Sequence, residues 1–380
     1  MKIAFCVPSL GEREGQGSAN LELLRRVAAA GVEVDVFAGH APASVAGLPG
    51  VRLFGLPRLP AWQWGNQLLA LVASSARVRP RRYDLVHADA GVTLRRADVV
   101  SCHTVNDAWL RLSEHVWREP GLRGANAAAA TRFKARLELG QYRRARAVVV
   151  NSAKTAADLA ERGIEPSKIT VVPFGVDTER FRPPSATERA DARAILGIDE
   201  RVFVIAFVGA HGPRKGLPEM LDALAAGPGD EHLVVAGDRR GEAFVRDAAV
   251  RRLPVTMPGK VADVRRVYRA ADVLVYPSRY DAFGLAVLEA MACGLPVIVS
   301  RAAGAHEIVG DAGSVLDVVS APQIRRALDA LRADPRAARM MGAAGRGIAV
   351  TRTWDEAGRT LLDLYAHLAG SSGSRATSTV

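Results

Sequence analysis

The stretch from Tyr276 to Glu307, YPSRYDAFGLAVLEAMACGLPVIVSRAAGAHE, leaves few ways to fold. An apolar run, Val273 to Tyr276, stops at Pro277 and Ser278, and a polar loop carries Asp281. Phe283, Gly284 and Leu285 then open a helix, which Gly294 and Pro296 close before the apolar run Val297 to Val299. This reads as a βαβ unit. The first turn of its helix leaves backbone N–H groups unpaired at the positive end of the helix dipole, so the Gly284 turn is a candidate seat for a phosphate. Glu289 lies just over one turn further in, where its carboxylate can meet a hydroxylated group attached to that phosphate. Asp281, in the loop before the helix, can meet hydroxyls on the other side.

The N-terminal half repeats this alternation in the manner of a doubly wound sheet, which predicts an α/β protein, and the length predicts two domains. Its 380 residues, 49% hydrophobic and 24% charged, suffice for two cores. No apolar run approaches the roughly 18 residues that span a bilayer, and Met1 to Leu10 is too short for a signal peptide, so a cytoplasmic location is expected. Cys6, Cys102 and Cys293 are scattered among apolar residues, as buried reduced thiols would be. The formal charge of +11 points to anionic small molecules or membrane surfaces, because no helix-turn-helix, zinc-ligand or aromatic-basic pattern accompanies it. No nucleic-acid partner is expected.

In the first half, Lys2 to Val7 reads as a strand, Asn20 to Ala30 as a helix and Val32 to Ala38 as the next strand, with Gly31 at the helix stop. The loop between, LGEREGQGSAN, holds Gly11, Gly15 and Gly17, where backbone amides can approach an acceptor or a donor phosphate. It lacks the third glycine of a dinucleotide fingerprint, and Asp35 is weak support alone, so a hydride-transferring dehydrogenase is disfavoured. Further strands follow at Leu85 to His87, Asp98 to His103 and Ala147 to Asn151. His87 and His103 fall at strand ends, where an open α/β sheet presents its crevice, while Asp89 reads as a solvated loop residue. Trp109 to Arg146 carries nine Lys or Arg against three acids, with Trp117, Phe133 and Leu137 among them. It is either a pair of helices with solvated basic faces or a surface that rests on anionic lipid.

Pro183 and Pro184 mark a domain crossing near residue 182. The near-continuous apolar strand Val202 to Val208 then leads into GAHGPRKGLPEMLDAL, where Arg214 and Lys215 stand beside Gly212 and Gly216. Two cations and open amides there can converge on a pyrophosphate, although the segment is no Walker loop. Leu233 to Ala236 is a further strand. The chain turns helical from about Ala321 and ends in an amphipathic helix carrying Trp354, Leu361, Leu362, Leu364 and Tyr365. The tail GSSGSRATSTV has no core-forming residues and is expected to be disordered.

The stretch DAFGLAVLEAMACGLPVIVS resembles the donor-binding signature of glycosyltransferase family 4, retaining enzymes that use nucleotide sugars. Asp281 stands where the family pattern, E-x-F-G-x-x-x-x-E-A-x-A-x-G-x-P-V, has its first Glu. The resemblance extends over about residues 1 to 368 and implies the GT-B fold, two Rossmann-like domains facing each other across a cleft. They would be an acceptor domain of residues 1–181 with a returning helix near 352–368, and a donor domain of residues 182–351, before a tail of residues 370–380. Phe174 replaces the usual Asn of the family's P-N-G-V-D turn.

By the same resemblance, Arg214 and Lys215 would stabilise the departing diphosphate and Glu289 would hold the ribose. Lys260 and Val261 would meet the base, and Phe283, Gly284 and Leu285 the phosphates. Gly15 and Gly17 would form the glycine-rich loop of the acceptor domain, and Glu307 would position the donor loop. Asp281 and His103 would orient the sugar from opposite domains. The implied partners are a nucleoside diphosphate sugar and a hydroxylated or lipid-linked acceptor, with no cofactor and no metal. Arg214, Lys215 and the Gly284 terminus would together supply about two charges and a partial one in the metal's place. The rivals are a sugar phosphorylase or epimerase of the same fold, and a non-enzymatic sugar- or lipid-binding protein with a decayed site.

Overall fold

The computed structural model describes residues 1–11, 15–57, 63–116, 122–209, 214–237 and 253–376, with backbone alone at 63–68, 113–116, 122–128, 130 and 371–376. Trp117 and Gly212 lie outside these residues. The chain divides into two compact units, one of Met1–Phe174 with Trp354 onward, the other Gly175–Thr353. The first division falls inside the P-F-G-V-D turn, earlier than the residue 182 read from the prolines.

The first unit runs β1 (Lys2–Val7), α1 (Gly15–Ala29), β2 (Glu33–Ala38), β3 (Val51–Gly55), α2 (Gln63–Arg77), β4 (Leu85–Asp89), β5 (Val99–Cys102), α3 (Asn106–Val116), α4 (Leu122–Arg144), β6 (Ala147–Val150), α5 (Ala153–Ala160) and β7 (Ile169–Val171). Its strands are parallel in the order β3-β2-β1-β4-β5-β6-β7. β1 and β4 are buried almost end to end, as central strands covered on both faces must be. Between them the strand order reverses, and it is beyond the carboxyl ends of such a pair that a crevice opens. α1 starts at Gly15, five residues before the Asn20 read from sequence, so Gly15 and Gly17 sit in its first turn rather than in a loop. The amide of Gln16 accounts for the difference, because from the added first turn it donates to the same Asp89 oxygen as Asn20 one turn later.

The second unit runs α6 (Ala186–Leu196), β8 (Phe203–Val208), α7 (Leu217–Ala225), β9 (Glu231–Ala236), β10 (Val255–Gly259), α8 (Arg265–Ala270), β11 (Val273–Tyr276), α9 (Leu285–Ala292), β12 (Val297–Ser300), β13 (Gly313–Leu316), α10 (Ala321–Ala333) and α11 (Pro335–Val350). Its parallel order, β10-β9-β8-β11-β12-β13, reverses between β8 and β11. Ile205, Phe207, Leu217, Leu221, Leu233, Val275 and Ile298 form one core that joins α7 to the sheet. At the amino ends of the strands, buried Arg193 donates to Ala270 O at 3.0 Å and pairs with Asp272 at 2.8 Å.

The final helix, α12 (Trp354–Ala376), belongs to the first unit and runs through GSSGSRA, where a disordered tail was expected. The three cysteines are buried and free, and burial holds the Cys6 thiol far above its usual range.

Candidate active site

In the second unit the chain leaves β8 at Gly209 and returns at Arg214 and Lys215, just before α7. Gly216 caps that helix at φ +78°, a left-handed conformation, and a side chain there would lie 2.2 Å from Pro277 O. This close approach holds Lys215 against the end of β11. Lys215 is only 6% exposed, and its ammonium bonds both the Tyr276 hydroxyl and Asp281 Oδ2 while sitting 4.4 Å from the Tyr276 ring centroid. Burial pushes its pKa down to about 8, against the pull of Asp281. Arg214 donates to Tyr280 O at 2.8 Å and lies 3.5 Å from Asp281 Oδ2.

Asp281 is the hub of this cluster. Burial would raise its pKa, but Lys215, Arg214 and the Tyr276 hydroxyl, donating at 2.7 Å, hold it far below the usual carboxylate range. Its backbone is stitched to the turn after β12, with Asp281 N donating to Ala302 O at 3.1 Å and Gly304 N donating to Asp281 O at 3.0 Å. Two cations against one carboxylate leave a net charge of about +1 here, where two uncompensated cations were expected. The correction has a simple cause: an ammonium as buried as that of Lys215 is too costly to leave without a counter-ion.

Gly284 caps α9 at φ +105°, its Cα facing the Tyr276 ring so closely that a Cβ would lie 2.9 Å from it. Phe283 is buried and Leu285 half-buried. The first turn of α9 thus lies beside the Lys215 cluster, with Val287 N already donating to Gly284 O at 2.9 Å and Phe283 N to Asp281 Oδ1 at 3.2 Å. Glu289, one turn on, is half-buried and accepts a 2.8 Å bond from the Tyr268 hydroxyl, which α8 supplies. Burial raises its pKa to about 7, with Tyr268 and Arg180 opposing. Lys260 and Val261 follow the end of β10 at the same edge of the sheet, Lys260 exposed, and Glu307 is exposed in the turn Gly304–Ile308.

The first unit repeats this placement of an acid at a switch point. Asp89 ends β4 and is buried, not the solvated loop residue expected. It accepts from Gln16 Nε2 at 2.8 Å, Asn20 Nδ2 at 2.7 Å and His103 Nε2 at 3.1 Å. His103 follows β5, as expected. His87 does not end its strand: it lies inside β4, bonded to the Tyr365 hydroxyl and, at 2.7 Å, to Ser101 Oγ. Burial lowers its pKa to about 4, so it is a neutral core imidazole between the sheet and α12.

Sequence reasoning missed the parts played by Tyr276, Tyr268 and Asp89. Tyr276 and Asp89 carried one usable signal, a polar group at the carboxyl end of a strand beside the reversal of strand order. Tyr268 carried none. Among the described residues no three His, Cys, Asp or Glu gather as metal ligands, and no helix is long and apolar enough to cross a membrane.

The structure is similar to that of WaaG, a glycosyltransferase, with a TM-score of 0.78 and 23% identity over 96% of this chain and 99% of that one. It is also similar to HepE of Anabaena, with a TM-score of 0.73 and 21% identity over 97% and 100%. Two parallel doubly wound sheets in one chain, each with its strand order reversing once, define the GT-B fold. The sequence narrows this further. Residues 188–347 match the model of glycosyl transferases group 1 and residues 13–180 that of glycosyltransferase family 4. A D-inositol 3-phosphate glycosyltransferase of Xylanimonas cellulosilytica is 30% identical, over 94% of this chain and 93% of its own length. The chain belongs to glycosyltransferase family 4.

Proposed function

We propose that this enzyme transfers a sugar, with retention at the anomeric carbon, from a nucleoside diphosphate sugar to a hydroxylated acceptor, and that it does so without a metal. The observation that carries this reading is the buried Lys215–Asp281–Arg214 cluster beside the first turn of α9. Arg214, Lys215 and the α9 amides would take up charge developing on the leaving diphosphate. Glu289 would accept the ribose hydroxyls, Lys260 and Val261 would border the base, His103 and Asp281 would orient the sugar, and Gly15 and Gly17, in the acceptor domain's glycine-rich segment, would meet the donor. HepE has been solved with UDP and glucose and with UDP-glucose, which supports a uridine nucleotide as the first donor to try. The relative's activity supports adding a phosphorylated cyclitol to the acceptors tried.

The test is calorimetric titration with UDP-glucose in excess EDTA. Binding without metal is expected, with a bell-shaped dependence on pH. Glu289, protonated below about 7, must shed its proton to accept two hydroxyls, so affinity falls about tenfold per unit below that value. Lys215 loses its charge above about 8, so affinity falls again on the alkaline side. Glu289→Gln should remove the acid limb and spare the alkaline one. Binding that needs a divalent ion, or an acid limb that persists in Glu289→Gln, contradicts the assignment. Retention is read from the anomeric proton signal of the first product formed.

The same protein would rest on the inner face of an anionic membrane through α4. Arg132, Arg136, Arg143 and Arg144 are exposed there, as is the ring of Phe133, which is 60% exposed. Arg146 is withdrawn from that surface, since it donates to Leu368 O at 2.6 Å and faces Asp98. Each basic residue near an anionic surface adds about 1 kcal/mol, so changing Arg136, Arg143 and Arg144 to Ala should abolish low-salt co-sedimentation with phosphatidylserine vesicles. Equal sedimentation of the variant, or of the wild type with neutral vesicles, returns α4 to an ordinary solvated helix.

A further inference from the structure

The Asp89 carboxylate has no freedom left. It is 1% exposed, its Oδ2 takes both the Gln16 and the Asn20 amide, and its Oδ1 faces His103 Nε2 at 3.1 Å. Burial would raise its pKa, but His103 and those two amides hold it below the usual range, so it is ionised. An ionised carboxylate only accepts hydrogen bonds, and the ring proton of His103 must therefore sit on Nε2. The ring plane is fixed as well. It stacks on Phe174 with centroids 6.1 Å apart and planes 28° apart, and Phe174 in turn packs on Trp354 at 5.7 Å. Phe174 is thus the floor under His103, where the family's P-N-G-V-D turn carries an Asn. Among the described residues, His103 Nδ1 has no hydrogen bond within the protein.

We propose that Asp89 is a positioning residue for transfer: it fixes the Nε2–H tautomer of His103 and leaves Nδ1 as the nitrogen that meets the substrate. The inference rests on the reading of His103 as a sugar-orienting group. An imidazole pinned by a carboxylate on one nitrogen offers the other in a single protonation pattern, which spares the substrate the work of selecting a tautomer. Asp89→Asn keeps the shape and still satisfies Gln16 and Asn20 through its oxygen. Its amide, however, donates to Nε2, which drives the ring proton to Nδ1. The same substitution in serine proteases is the worked precedent for catalysis lost through the wrong tautomer.

The experiment reads the tautomer and the turnover separately. Long-range ¹H–¹⁵N spectra of the ligand-free enzyme, with His103 assigned by its absence in His103→Ala, should give an Nε2–H ring in the wild type and an Nδ1–H ring in Asp89→Asn. Turnover of UDP-glucose should fall about a hundredfold or more in Asp89→Asn, with KM changed far less. Adding Asp89→Asn to His103→Ala should then cost little further, since a residue that acts through another has nothing left to act on. An Nε2–H ring in Asp89→Asn overturns the positioning, even if that variant is slow. Equal losses in the two backgrounds overturn it too, because they mean that Asp89 only supports the fold. Wild-type turnover in His103→Ala would instead remove the role of His103, and with it the catalytic consequence of Asp89.

Discussion

Lys215→Ala is expected to lose about a thousandfold or more in turnover, and neither Mg²⁺ nor Mn²⁺ should restore it. The loss has two parts. Lys215 is the most deeply buried cation of the cluster, and the developing charge on a leaving diphosphate would meet it in a site where screening by water is weak. Its removal also leaves Asp281 facing that diphosphate with Arg214 alone, at 3.5 Å, to offset it. The cluster's charge then falls from about +1 to about zero. Restoring the balance should restore part of the rate, so Lys215→Ala/Asp281→Asn should outperform Lys215→Ala. Release of UDP from UDP-glucose in excess EDTA measures both. A wild-type enzyme that stops in EDTA, and a Lys215→Ala variant revived by a divalent ion, would remove the cluster from its role.

Gly216→Ala should do comparable damage by another route. The backbone at φ +78° costs a non-glycine residue about 1 kcal/mol or more, and a methyl group 2.2 Å from Pro277 O and 3.0 Å from Val319 Cγ1 must displace what it meets. Together these amount to about 2 to 5 kcal/mol, which lowers the thermal midpoint by about 10 °C for a unit of this size. What is displaced is the end of β11, one residue beyond Tyr276. Affinity for UDP-glucose should therefore fall along with stability. A variant with an unchanged midpoint and unchanged affinity would mean that the α7 cap and β11 are not held in register as described.

The limits of β11 were legible to the residue, and β8 nearly so. Strands buried on both faces must be apolar throughout, and such runs announce themselves. β3 and β13 went unread for the converse reason. VRLFG is an edge strand that leaves Phe54 38% exposed, and GSVL is short and half-buried, so neither carries a clear period. The site was legible as a set of charges and not as a set of contacts. Lys215 and Asp281 are 66 residues apart, and nothing in either segment says that they neutralise each other. Likewise Asp89 looked solvated because its partners come from α1 and from the end of β5, and only the strand order β1-β4-β5 brings those together. The His87 environment was invisible for the same reason, since its Tyr365 partner is 278 residues away.

The return of α12 to the first unit also sets an order of completion. Gly175–Thr353 is one unbroken segment, finished as soon as its last residue has left the ribosome. The first unit is begun earlier and completed later, because Tyr365 must still reach His87 and Asp355 must still pair with Arg26. During synthesis β4 therefore carries an imidazole whose aromatic cover has not yet been translated. The half of the enzyme that is made first is the half that must wait for the last-made helix.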